Sequence, residues 1–307
     1  MNDRLTAPHE TVADMFRYQI FFIGAAARSG TTWLQLTLNA HPGISCCGEG
    51  HFCDSLLPLL DQALTRHNAL AHTKNATLFQ DLEPFPRIVS THGQYLLAAT
   101  IALMLAEAAG DAAIVGEKPP DSVLAVPQLR TPFPAARFIF VLRDGRNCAT
   151  SAWFHNQRVE AKAMREKFPC VDDFVDAFVR GWVNCTDTAL RQTASDPQHC
   201  VCVSYEALVR TPEATRSRLF TFLGAEADPA TVHACTEAAA FPRLTSGRRP
   251  GQEDRSSLFR RGEIGDWHRH FSADTCAIFE RHGGALLQRC GYALATPDPC
   301  PAGRRVT

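Results

Sequence analysis

Cations and hydroxyls recur in three glycine-containing stretches: Gly24-Ala-Ala-Ala-Arg-Ser-Gly-Thr-Thr-Trp33, Leu142-Arg-Asp-Gly-Arg-Asn-Cys-Ala-Thr-Ser151 and Phe259-Arg-Arg-Gly262. Each is suited to holding phosphate or sulfate. In the first, the apolar run Ile20-Phe-Phe-Ile23 reads as a buried strand, and Trp33, Leu34 and Leu38 recur at helical spacing over residues 31–40. A strand, a loop and a helix start leave first-turn N–H groups aimed at one spot, where the helix dipole adds positive charge. Gly24 and Gly30 permit close backbone approach, while Arg28, Thr31 and Thr32 add donors. A Walker A loop has four residues between its glycines and then Lys; here five separate Gly24 from Gly30, and Thr31 follows. That argues against an ordinary ATPase or GTPase.

Positioning these groups requires a sheet. Short apolar runs at 20–23, 112–115, 137–142 and 200–204 read as strands. Helical patterns lie between them. Val171, Phe174, Val175, Phe178, Val179, Trp182 and Val183 form a stripe that packs on a sheet. A second helix opens at Thr211-Pro212, with Thr as N-cap, and stops at Gly224. Strands alternating with helices predict an α/β fold with a central parallel sheet flanked by helices. Ligands of such sheets bind beyond the strands' C-terminal ends. The loops 24–32, 116–118 and 143–151 all follow strand ends and so can share one crevice.

The string Arg28-Ser-Gly-Thr-Thr-Trp33 resembles the 5′-phosphosulfate loop of sulfotransferases that use 3′-phosphoadenosine-5′-phosphosulfate (PAPS). Arg143 and Ser151, eight positions apart, resemble that family's 3′-phosphate pair. Phe259-Arg-Arg-Gly262, continued by Glu263-Ile-Gly-Asp-Trp267, is similar to the Arg-Lys-Gly element of its cytosolic members, with Arg261 in the usual Lys place. The resemblance runs from about Ile20 to about Phe271, with roughly 52–113 unmatched. It implies the P-loop-like PAPS sulfotransferase fold, with PAPS as co-substrate, adenosine 3′,5′-bisphosphate (PAP) as product, and no metal. Arg28, Ser29, Gly30, Thr31 and Thr32 would hold the 5′ end; Arg143, Ser151, Arg260, Arg261 and Gly262 would hold the 3′-phosphate. Trp33, Tyr205 and Phe241 match the residues that meet adenine, although the helical spacing of Trp33 suits core equally well. A single domain over 1–307 is expected, because the three stretches must meet around one nucleotide, with an ordered core of about 17–294 and mobile ends.

The chemistry needs a base for the acceptor's proton and cations for the charge on the leaving oxygen. Cytosolic members place a His after a Lys-Thr motif; Gly116-Glu-Lys-Pro-Pro120 has none. Cys47-Gly-Glu-Gly-His51 resembles the Gly-Glu segment of tyrosylprotein sulfotransferases, which implies Glu49 as base, with His51 or His92 as alternatives. Lys118 matches a lysine that touches the sulfuryl group. Its bland alternative is a salt bridge with Glu117. Asp144 reads as pairing with an arginine or capping the helix that Gly145 opens.

A net charge of −1 gives no basic field for nucleic acid or an acidic membrane. Hydrophobic residues at 45% and charged residues at 21% suit a substantial core. No apolar run is long enough to span a bilayer and Met1 to Glu10 has no signal-like segment, which predicts a cytoplasmic protein with its twelve cysteines reduced. Cys46, Cys47, Cys53 and His51 lack a complete zinc spacing. The acceptor is expected to be a small molecule with a hydroxyl, less readily an amine. Apolar residues between about 52 and 113 are expected to line or cover its pocket, favouring an aromatic or lipophilic compound. A homodimer stays open, since the region after Trp267 only faintly resembles a short dimerisation motif. Two further readings are a P-loop small-molecule kinase using ATP and a catalytically silent nucleotide-binding protein.

Overall fold

The computed structural model describes residues 17–79 and 86–295. The expected tail from Thr296 and the N-terminal residues 1–16 lie outside the described residues. In chain order the elements are β1 (Gln19–Ala25), α1 (Thr31–Asn39), β2 (Ile44–Cys47), α2 (Leu57–Phe79), α3 (Ser90–Ala108), β3 (Ile114–Glu117), α4 (Val126–Arg130) and β4 (Arg137–Leu142). There follow α5 (Gly145–Val159), α6 (Ala161–Lys167), α7 (Val171–Ser195), β5 (Cys200–Ser204), α8 (Tyr205–Arg210), α9 (Pro212–Leu223), α10 (Pro229–Ala238), α11 (Phe241–Leu244) and α12 (Ala273–Arg289).

All strands are parallel, in the order β2-β3-β1-β4-β5. Alternation along each strand divides the core by face. Phe22, Phe138 and Phe140 pack with Leu97, Ile101, Trp182 and Phe279 from α3, α7 and α12. Phe21, Ile23, Ile139 and Val141 pack on the opposite face with Leu34 and Leu38 of α1 and Leu219, Phe220 and Leu223 of α9. Both faces are covered, as continuous apolar strands require. Every strand therefore ends at the same edge, and β1, with β3 on one side and β4 on the other, lies where the chain order reverses.

The four expected strands are present, and β2 is an addition. Gly116 and Glu117 belong to β3 rather than to the loop after it. The stripe on α7 buries Phe174, Val175, Val179 and Trp182, while Val171, Phe178 and Val183 are only partly buried. Gly224 ends α9 with φ 73° as expected, but the Thr211 hydroxyl does not cap that helix; it donates to Ala207 O at 3.1 Å. Helices α2 and α3 do not line the main cavity. Instead α3 sends Leu97, Ile101 and Leu105 into the core. The eleven described cysteines are free thiols, and Cys300 lies outside the described residues.

Candidate active site

The strand ends open into a cavity of about 780 Å³. The loop between β1 and α1 forms its floor. Gly30 there has φ 100°, and a Cβ on it would sit 2.6 Å from the Tyr205 ring, so both the turn and the packing demand glycine. Arg28 holds φ 65°, a strained conformation for a non-glycine residue. Among the described residues its guanidinium makes only long contacts, Nε to Ser151 Oγ at 3.4 Å and Nη2 to Leu258 O at 3.3 Å. Burial first, then repulsion from Arg143 and Arg158, brings its pKa down to about 10. A crowded cation with poor partners is prepared for an anion. Thr31, Thr32 and Trp33 also line the cavity. The Ser29 side chain does not: it is 1% exposed, with Oγ 3.5 Å from Cys148 Sγ beneath the loop.

Arg143, one residue past β4, donates through Nη1 to Arg28 O at 3.0 Å and lies over the Tyr205 ring with Cζ 4.0 Å from its centroid. Its Nε has no partner among the described residues. Asp144 caps α5, accepting from Arg146 N at 2.9 Å, and pairs with the Arg146 guanidinium. Arg260, Arg261 and Gly262 cover the cavity from the loop after α11. Gly262 has φ 64°, and a Cβ there would meet the Phe241 ring at 2.3 Å. Both arginines are already paired: Arg260 with Glu253 at 2.5 Å and with Asp266, Arg261 with Glu263 at 2.7 Å. Trp33 and Tyr205 meet edge to face at 5.5 Å, and Phe241 lines the same cavity.

Glu49 lines the same cavity. Three bonds stitch its segment to the end of β3: Lys118 N to Gly48 O at 3.4 Å, Gly50 N to Glu117 Oε1 at 2.6 Å, and Lys118 Nζ to Glu49 Oε1 at 2.5 Å. Lys118 is 4% exposed, and its partner is Glu49 rather than Glu117. His51 is not part of the wall. Its Nδ1 bonds Asp54 Oδ2 at 2.9 Å, which raises its pKa, and Nε2 stays 3.8 Å from Glu49. His92 is also elsewhere, accepting from Val89 N at the start of α3.

Burial drives the Glu117 carboxyl up to about 7, against the lowering effect of the Gly50 N–H. An acid with a raised native pKa keeps its proton longer when folded, so this group lowers stability as pH climbs from 4.5 to about 7, and the deficit persists above. Glu117→Gln keeps the acceptor for Gly50 and removes the titration. Urea unfolding should show wild type and variant equal near pH 4 and the variant more stable by about 3 kcal/mol above pH 7. Parallel stability curves would refute this.

One histidine escaped the sequence reasoning. His155 lines the cavity one helical turn beyond Ser151 on α5. The i, i+4 spacing from Ser151 was the available signal. Arg158 Nη2 lies 3.1 Å from its Nδ1, and a guanidinium only donates, so Nδ1 accepts and the neutral ring carries its proton on Nε2. Burial, with Arg28 and Arg158, holds its pKa below the ordinary value. His155 is therefore a hydrogen-bond donor rather than a base. Beyond it the wall is aromatic: Phe168, Phe174 and Phe178, with ring centroids 5.3 and 5.7 Å apart along the row.

The Sulfotransferase family profile matches residues 20–229. A Caenorhabditis briggsae sequence with a provisional protein-tyrosine sulfotransferase name is 27% identical over 281 residues, covering 92% of this chain and 91% of that one. Protein-tyrosine sulfotransferase 1 of Danio rerio is 26% identical over 227 residues, 70% of this chain and 55% of that protein, so the chain spans only about half of that relative. A mouse sulfotransferase crystallised with PAP shares the fold at TM-score 0.56 and 15% identity, over 92% of this chain and 91% of its own. The expected cytoplasmic location does not stand: the relatives found are protein-tyrosine sulfotransferases by name, and that kinship overturns the assignment. No described helix is long and apolar enough to cross a membrane, which does not itself assign a compartment. With the profile over more than half its length and the matching α/β architecture, the chain belongs to the PAPS-dependent sulfotransferase family.

Proposed function

We propose that this sulfotransferase moves the sulfuryl group of PAPS to the phenolic hydroxyl of a small aromatic acceptor and releases PAP. The observation that carries the reading is convergence: Arg28, Arg143, Ser151, Arg260 and Arg261, from three separated stretches, line one cavity with Glu49. We read the described chain as one domain on the same ground, since one sheet supports these walls. Arg28, Thr31, Thr32 and the loop N–H groups would hold the 5′-phosphosulfate; Arg143, Ser151, Arg260 and Arg261 would hold the 3′-phosphate; Trp33, Tyr205 and Phe241 would enclose adenine. An unpartnered Nε on Arg143 and weak contacts on Arg28 fit an anion at each place.

Glu49 takes the acceptor O–H proton as the new oxygen–sulfur bond forms. The bond from sulfur to the phosphate oxygen breaks, and the electron pair leaves on that oxygen beside Arg28. Lys118 holds the Glu49 carboxylate in position. The His155 Nε2–H adds a donor on the acceptor side. Phe168, Phe174 and Phe178 favour an aromatic acceptor. The relatives' names favour a second acceptor with the same functional group, a tyrosyl side chain of a protein.

Calorimetric titration with PAP beside ADP and ATP, without magnesium, tests the nucleotide. Clear preference for PAP is expected; equal or better binding of ATP would overturn the assignment. Turnover of a simple phenol against a tyrosine peptide, both with PAPS, separates the two acceptors. A peptide preferred by orders of magnitude would refute the small-molecule reading.

A further inference from the structure

Helix α9 presents Arg216, Leu219, Phe220 and Leu223 inward at i, i+3, i+4 and i+7, each 1% exposed or less. Three positions of that stripe are apolar, and the fourth is an arginine. Its Nε and Nη1 have no hydrogen-bond partner among the described residues. The carboxylate whose charge acts on it, Glu213, is engaged by His233 Nδ1 at 2.8 Å. A buried charge without a partner is strongly unfavourable, and an apolar residue at this position would be more stable. The side chain does have one outlet. Arg216 lines the main cavity beside Trp33, with Cζ 5.7 Å from the Trp33 ring centroid, and Trp33 in turn meets Tyr205.

We propose that Arg216 is a specificity residue for the nucleobase, its guanidinium donating to the ring-nitrogen acceptors of adenine. The inference rests on the PAPS reading of the cavity and names the group that selects its purine. Adenine offers ring nitrogens that only accept, and a guanidinium only donates. The Trp33, Tyr205 and Phe241 rings grip faces and edges without discriminating bases, so a buried donor beside them supplies what they lack.

Arg216→Met separates stability from recognition, because methionine fits the apolar surroundings and removes the charge. Its melting temperature should rise by a few degrees, while its affinity for PAP falls about 10- to 100-fold. Affinity for ribose 3,5-bisphosphate, which lacks the base, should be the same in variant and wild type. Unchanged PAP affinity overturns the proposal, as does an equal loss on both ligands, which would make Arg216 a phosphate ligand. If the Met variant fails to fold, Arg216→Gln, with one neutral donor, takes its place: an intermediate loss confined to PAP supports the proposal, and an equal loss on both ligands overturns it. Wild-type protein that prefers ATP to PAP would instead remove the nucleotide reading and this proposal together.

Discussion

Glu49→Gln should lower kcat about 1000-fold or more with PAPS and a phenol, while PAP binds within about threefold of wild type. Glutamine keeps the shape of the side chain and an acceptor oxygen for Lys118, whose Nζ lies 2.5 Å from Glu49 Oε1. The three bonds that fix the segment at β3 should survive, so the nucleotide site is left undisturbed. What is lost is the capacity to take a proton. The alternatives are poorly placed: His51 is turned to Asp54, and the Nδ1 lone pair of His155 is occupied by Arg158. Steady-state kinetics and calorimetry on the same preparation decide it. Turnover within tenfold of wild type would remove Glu49 as base, and a parallel collapse of PAP affinity would make it a structural carboxylate.

Arg143→Met should weaken PAP about 100- to 1000-fold and ADP much less, since only PAP carries the 3′-phosphate. Arg143 is pre-placed at the end of β4 by its bond to Arg28 O and its position over Tyr205, while Nε stays unpartnered. Arg260 and Arg261 differ, because Glu253, Asp266 and Glu263 already occupy them. A phosphate must compete with those carboxylates, so single replacement of either arginine should have a smaller effect than loss of Arg143. Titration of the variant with both nucleotides is the check. Equal losses on PAP and ADP would mean that Arg143 supports the whole pocket through Tyr205 rather than gripping the 3′-phosphate.

Legibility followed distance in sequence. Strands β1, β4 and β5 were readable because each is a contiguous apolar run. Strand β2 was not: Ile44-Ser-Cys-Cys47 is four residues long, and its strand geometry comes from pairing with β3, Ile44 against Ile114. The apolar residues between about 52 and 113 were visible, but which wall they serve was not. A helix's apolar residues look alike whether they face core or cavity, and on α7 the same stripe supplies Trp182 to the core and Phe178 to the cavity.

The local sequence alone marked three stretches suited to an anion, because a glycine-bounded loop at a helix start, or an Arg and a Ser on one short segment, carries its geometry within ten residues. It also determined the parallel α/β class, through apolar runs alternating with helical stripes. Tertiary structure decided what lies far apart in the chain. Glu49 and Lys118 meet only because β2 and β3 are neighbours; His155 is a donor only because Arg158 stands at its Nδ1. Arg216 is informative only because packing buries it with Nε and Nη1 unpartnered among the described residues. Partnership and burial arise from contacts between segments, and no local pattern encodes them.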